Sequence, residues 1–98
     1  MFFPALLAVA ALTNTPAPEM RVTIRDLDFN RPEHISLFVQ RTRAASRDYC
    51  ARHLAFATPD RMGDPSVCES GMAYLAARAL PDQAWERLRA SGQLRRFR

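Results

Sequence analysis

The chain has 98 residues, room for one domain at most, and loss of an N-terminal segment would leave about 80, near the size at which a single core is marginal. Its 14 basic residues, all of them arginine, outnumber 10 acidic ones, so the excess of +4 favours association with anionic surfaces and says nothing of fold. No apolar run is long enough to cross a bilayer, which argues against a membrane-spanning protein.

The first twelve residues, MFFPALLAVAAL, are apolar and uncharged, and TNTPAP comes next, before the first acid at Glu19. This is the pattern of a secretory leader covering residues 1–17, with cleavage falling between about residue 10 and residue 19. It has no basic residue at its start. The expected location is the periplasm or the extracellular space, where a covalent cross-link would persist.

Beyond the leader, Met20, Val22 and Ile24 alternate with Arg21, Thr23 and Arg25. Period two with β-branched residues predicts a half-buried strand. A lone strand leaves a backbone edge unpaired, so the same segment predicts a homodimer through Val22 to Arg25 or a strand supplied by a partner. Asp26 and Asp28 should share one face of its end, paired in solvent with Arg21, Arg25 or Arg31.

Asn30, Pro32 and Glu33 then form a capping-box pattern with Asn30 as N-cap. Ile35, Phe38, Val39, Thr42, Ala45, Tyr49 and Cys50 recur at helical spacing to about Leu54, and His34 is expected to be exposed. Thr58, Pro59, Asp60 and Gly63 punctuate a loop. Asp64 and Pro65 open a second helix with an apolar stripe of Val67, Cys68, Gly71, Met72, Leu75, Ala76 and Ala79. Pro81 starts a third, short helix, with Ala84, Trp85 and Leu88 inward and Gly92 as its stop. Trp85 is expected to clasp the helical hairpin rather than to stack a ligand. Residues 93–98, QLRRFR, read as a basic tail. The domain is therefore expected over residues 20–92, as a mainly α, small α+β fold: one N-terminal β-strand, a helical hairpin and a short third helix.

Cys50 falls late on the inward stripe of the first helix and Cys68 early on that of the second, so an antiparallel hairpin would bring them together. A disulfide-linked hairpin is the favoured reading in an exported chain. One alternative is zinc held by Cys50, His53 and Cys68, with Asp60 or Asp64 as further ligands, although a single Cys-x-x-His lacks the second pair such sites use. A redox pair would want closer spacing.

Catalytic patterns are missing from the sequence. Ser70 lies in ESGM rather than G-x-S-x-G, there is neither a P-loop nor a G-x-G-x-x-G, and the acids are too few for a hard-cation site. We therefore expect a non-enzymatic protein without a cofactor. The basic residues offer anionic-surface contacts at Arg41, Arg43, Arg47, Arg95, Arg96 and Arg98. Arg52 would extend the set towards nucleic acid, but acids interrupt the pattern and export argues against that partner. A cationic, peptide-like action of Trp85 to Arg98 on anionic lipid is a further expectation.

The segments VTIRDLDF, RTRAASRDYC and SVCESGMAYLAARAL together resemble the UrcA family of small exported bacterial proteins, over about Val22 to Leu80. The resemblance implies a periplasmic or secreted domain with a disulfide between the positions of Cys50 and Cys68, and it implies no known activity. The segment after Leu80 departs from the family pattern.

Overall fold

The computed structural model describes residues 19–57 and 64–97. The expected leader, the expected loop over 58–63 with Asp60, and Arg98 lie outside the described residues. Three α-helices succeed an extended N-terminal segment: α1, Pro32–Ala57; α2, Pro65–Arg78; and α3, Asp82–Ala90. A 3-10 helix, Gln93–Phe97, ends the described chain. Among the described residues no helix is long and apolar enough to cross a membrane.

α1 and α2 form the antiparallel hairpin. Ile35, Phe38 and Val39 near the start of α1 pack with Ala73 and Ala77 of α2 and with Leu80 just beyond it, and Leu88 and Phe97 complete this main cluster. At the opposite end, Tyr49, Cys50 and Cys68 make a second, smaller cluster with Met20, Leu54 and Met72 around them. Cys50 and Cys68 are joined there in a disulfide with a Cα–Cα distance of 5.9 Å. The hairpin staple read from the sequence is thus present.

The stripe of α2 is rotated from the expected one. Cys68, Ala73 and Ala77 are buried, whereas Gly71 and Ala79 are exposed and Leu75 is 62 % exposed. The reason is volume. The large side chains at the seam, Phe38 and Val39, come from α1, so α2 offers it small ones, and the alanines allow close approach of the two helices.

α1 also begins differently from the capping box. The Ile35 amide bonds the Arg31 carbonyl at 3.2 Å, which makes Arg31 the cap position. Asn30 instead donates its amide to the Asp28 carboxylate at 2.9 Å, an Asx turn, and Glu33 pairs with Arg31 at 3.0 Å. His34 is half-buried and its Nδ1 accepts the Asp28 amide at 2.9 Å. Near its end, α1 is kinked at His53, whose backbone (φ −132°, ψ 33°) is not helical.

The expected strand is a strap instead. From Glu19 to Arg25 exposed and half-buried residues alternate, with Met20, Val22 and Ile24 inward. That is the sidedness the alternation predicted. No ladder partner exists among the described residues, so the segment is extended chain and not sheet. Met20, beside Ser46, and Phe29, edge-on to Phe38, show that the strap runs antiparallel to α1.

Arg41 fixes it. Its guanidinium donates to both Asp26 oxygens at 2.8 Å and to the Thr23 carbonyl at 3.0 Å. Asp26 therefore pairs with a helix residue rather than with Arg21, Arg25 or Arg31, and the Arg41 hydrogen bond lowers its pKa from 3.8 to about 2. A carboxylate depressed on folding contributes stability above its unfolded pKa that is lost as pH falls towards the folded value. Acid titration of thermal stability should thus show a decline between about pH 4 and pH 2 that is shallower in Asp26→Asn; identical profiles would remove this ion pair from the stability of the strap.

α3 meets the expectation. Leu88 is fully buried, Ala84 and Trp85 pack on the main cluster, and Trp85 stands edge-on to Tyr74 at 6.1 Å with the Arg78 guanidinium 4.7 Å above its ring. Gly92 takes φ 79°, the left-handed conformation that ends a helix at low cost. The segment after Gly92 is no tail: the 3-10 helix turns back onto α1, and Phe97 is buried against Phe38.

Candidate functional site

The candidate residues divide once the fold is in place. Both sulfurs of the Cys50, His53 and Cys68 set are committed to each other. His53 lies at the kink with its ring 5.0 Å from that of Tyr49. Asp64 accepts the Ser66 hydroxyl at 2.7 Å. Among the described residues no group of three or more His, Cys, Asp and Glu is placed to hold a metal ion. The zinc reading needed two thiolates, and the fold converts them into a cross-link.

Of the six candidate anion contacts, Arg41 is withdrawn by Asp26. Arg95 is exposed and is not among the residues that line the cleft where three of the others meet. The fold brings Arg43, Arg47 and Arg96 together at a cleft of about 110 Å³, between α1, the first turns of α2 and the 3-10 helix. Ser66, Glu69 and Ser70 of α2 line the same cleft.

Each element supplies its part for a local reason. Arg43 and Arg47 are four apart in α1 and so share a face; both are exposed, and among the described residues neither has a carboxylate partner. Arg52, further along, is by contrast paired with Asp48 at 3.2 Å. Ser66 and Ser70 repeat the four-residue spacing on α2. Arg96 is half-buried and donates to Gln93 Oε1 at 2.7 Å. That oxygen also accepts the Ser36 hydroxyl of α1 at 3.2 Å, so the guanidinium is held to the hairpin. Glu69 is the one acid among these lining groups and opposes the three cations.

Guanidinium groups present planar forks of donors that match carboxylate, phosphate and sulfate oxygens. The Ser70 hydroxyl adds a neutral donor, while the Ser66 proton is committed to Asp64. The volume suits one oxyanion head group and is too small for a nucleotide. What the arrangement can do chemically is bind a small anion or the anionic head of something larger.

Ser66, Ser70, Glu69 and Gln93 were not among the candidates read from sequence. A signal for Ser70 exists: Arg47 precedes Cys50 by three positions and Ser70 follows Cys68 by two, so an antiparallel hairpin stapled at the cysteines sets them side by side. No such signal marks Gln93, whose place depends on the turn at Gly92. In comparisons with known proteins, no family model, curated protein or solved structure matches this chain.

Proposed function

We propose that this chain is an exported, non-enzymatic binding module, stapled by its disulfide, that recognises an anionic group of the cell envelope through Arg43, Arg47 and Arg96. The observation carrying this reading is the convergence of three arginine residues, from the middle and the end of the chain, on one cleft of oxyanion size. The apolar leader-like start of the sequence and the Cys50–Cys68 bond support export, because disulfides persist in oxidising compartments. The likeness of Val22 to Leu80 to the UrcA family points to the same compartment. A free cationic tail acting on lipid is the weaker account, since Phe97 is buried and ties that segment to the hairpin.

The test compares phosphatidylglycerol vesicles with inorganic phosphate as probes. Co-sedimentation with the vesicles should fall steeply as salt rises, because exposed charges are screened. The double variant Arg43→Gln/Arg47→Gln should lose at least about tenfold in affinity, two charge-assisted hydrogen-bonding groups being removed. Arg95→Gln should bind as the parent does. Phosphate competing with the vesicles places recognition at the head group; vesicle binding that ignores both the double variant and salt would refute the cleft.

A further inference from the structure

The strap carries a second inference, independent of the cleft. The Thr23 carbonyl points to α1, where Arg41 holds it at 3.0 Å. In an extended chain neighbouring residues present their backbone groups to opposite edges. The amide and carbonyl of Val22 therefore face away from Arg41, and among the described residues neither is bonded to another protein group. Along that strap opens a groove of about 740 Å³, lined by residues 20–25, by the Phe38 ring, by Ala76 of α2 and by Ala79 and Leu80 just after that helix. Leu75, 62 % exposed one turn before Ala79, continues the apolar face.

An edge of this kind takes up an extended segment by exchanging main-chain hydrogen bonds, and side-chain order decides which segment. Its own sequence is complementary to itself in one register. Antiparallel pairing about Val22, the residue whose amide and carbonyl are both free, sets Glu19 opposite the partner's Arg25, Met20 opposite the partner's Ile24 and Arg21 opposite the partner's Thr23. Opposite charges meet, and apolar residues meet on the inward face. Shifting the pivot to Thr23 places Arg21 against the partner's Arg25 and turns the paired edge to the side held by Arg41. The Val22 register uses the open edge and is short, because the Ile24 carbonyl at its end already accepts the Leu27 amide at 3.0 Å. Glu19 is exposed, with a contact of 3.3 Å to Arg21, and Arg25 is exposed without a carboxylate partner among the described residues, so both can pair across the edge.

We propose that residues 19–25 pair with the same segment of a second copy, antiparallel about Val22, to form a two-stranded dimer interface over the groove. The small side chains of Ala76 and Ala79 leave room for the inward residues of the added strand. Such a contact is short, and its dissociation should be visible on dilution.

Sedimentation equilibrium over a concentration series, with amide exchange at high and low concentration, tests this. A reversible dimer is expected, with the Val22 amide protected only when concentrated. Arg25→Glu should weaken it about tenfold, because two attractive cross-strand pairs become repulsive. Glu19→Arg should do the same, and the two together should restore it. These residues are exposed, so thermal unfolding of the variants checks that the monomer is intact. A monomer up to about millimolar concentration would overturn the proposal, as would a dimer that Arg25→Glu leaves unchanged or that the double exchange fails to rescue. A monomer whose strap protection instead tracks an added acidic, extended peptide would also overturn it, and would give the groove to a foreign strand.

Discussion

Replacing Cys50 and Cys68 together by alanine is expected to lower folding stability by about 3 kcal/mol, from the loop-closure entropy of a bond spanning 18 residues. In a domain of this size that corresponds to a fall of roughly 15 °C in Tm. The reason for so large a share lies in how the apolar material is distributed. The main cluster gathers residues from the strap, all three helices and the 3-10 helix, whereas the loop end of the hairpin has only Tyr49, Cys50 and Cys68 with three half-buried neighbours. The cross-link supplies there what packing does not. Loss of the bond should therefore act locally first: amide exchange should accelerate at the end of α1 and the start of α2 while the amides around Phe38 and Leu88 remain protected to the global unfolding limit. The consequence reaches the cleft, because Arg47 and Ser66 lie within a turn of the two cysteines. Reduced or variant protein is expected to bind anions more weakly although every lining side chain is present. Thermal unfolding of oxidised and reduced samples, monitored by circular dichroism, checks the first part; coincident midpoints would show that the bond is incidental to the fold.

The parts of this fold that are legible in the sequence are those set by short-range forces. The helices are readable because their signals are local: Pro65 at the first position of α2, the apolar spacing of α1, and Gly92 at the stop of α3. The inward set of the strap is readable for the same reason, since side chains alternate in any extended chain whether or not it is paired. Pairing itself is not local, and the expectation of a strand fails there: the segment meets Arg41 on a helix instead of a neighbouring strand. The rotation of α2 is likewise hidden, because which of its residues face α1 depends on the size of side chains contributed by α1. For the cleft, the arginines of α1 can be named from composition and spacing. Removing Arg41 from that set and joining Arg96 to it requires two contacts between residues distant in the chain, Asp26 with Arg41 and Gln93 with Ser36.

Phe97→Ala is expected to be the other severe substitution, destabilising the fold by about 3 kcal/mol, the lower end of the range for a buried phenylalanine because a chain end can partly collapse into the space. Its charges give QLRRFR the look of a solvated tail. In the fold Phe97 is only 6 % exposed, and its ring meets Phe38 edge-on with centroids 6.3 Å apart; Phe38 in turn meets Phe29 at 5.4 Å. This row of rings links the end of the chain, α1 and the strap, so removing one member weakens three elements at once. Phe97→Leu keeps most of the volume and should cost less than about 1.5 kcal/mol, and Arg95→Ala, at an exposed neighbour, should lie within about 0.5 kcal/mol of the parent. Urea unfolding of the three variants separates apolar docking from charge: if Arg95→Ala rivals Phe97→Ala, the segment is held by electrostatics. Phe97→Ala should also weaken anion binding while leaving all three cleft arginines in the sequence, since Arg96 reaches the cleft only while the residue after it is anchored. An affinity unchanged in Phe97→Ala would instead mean that Arg43 and Arg47 bind the anion without it.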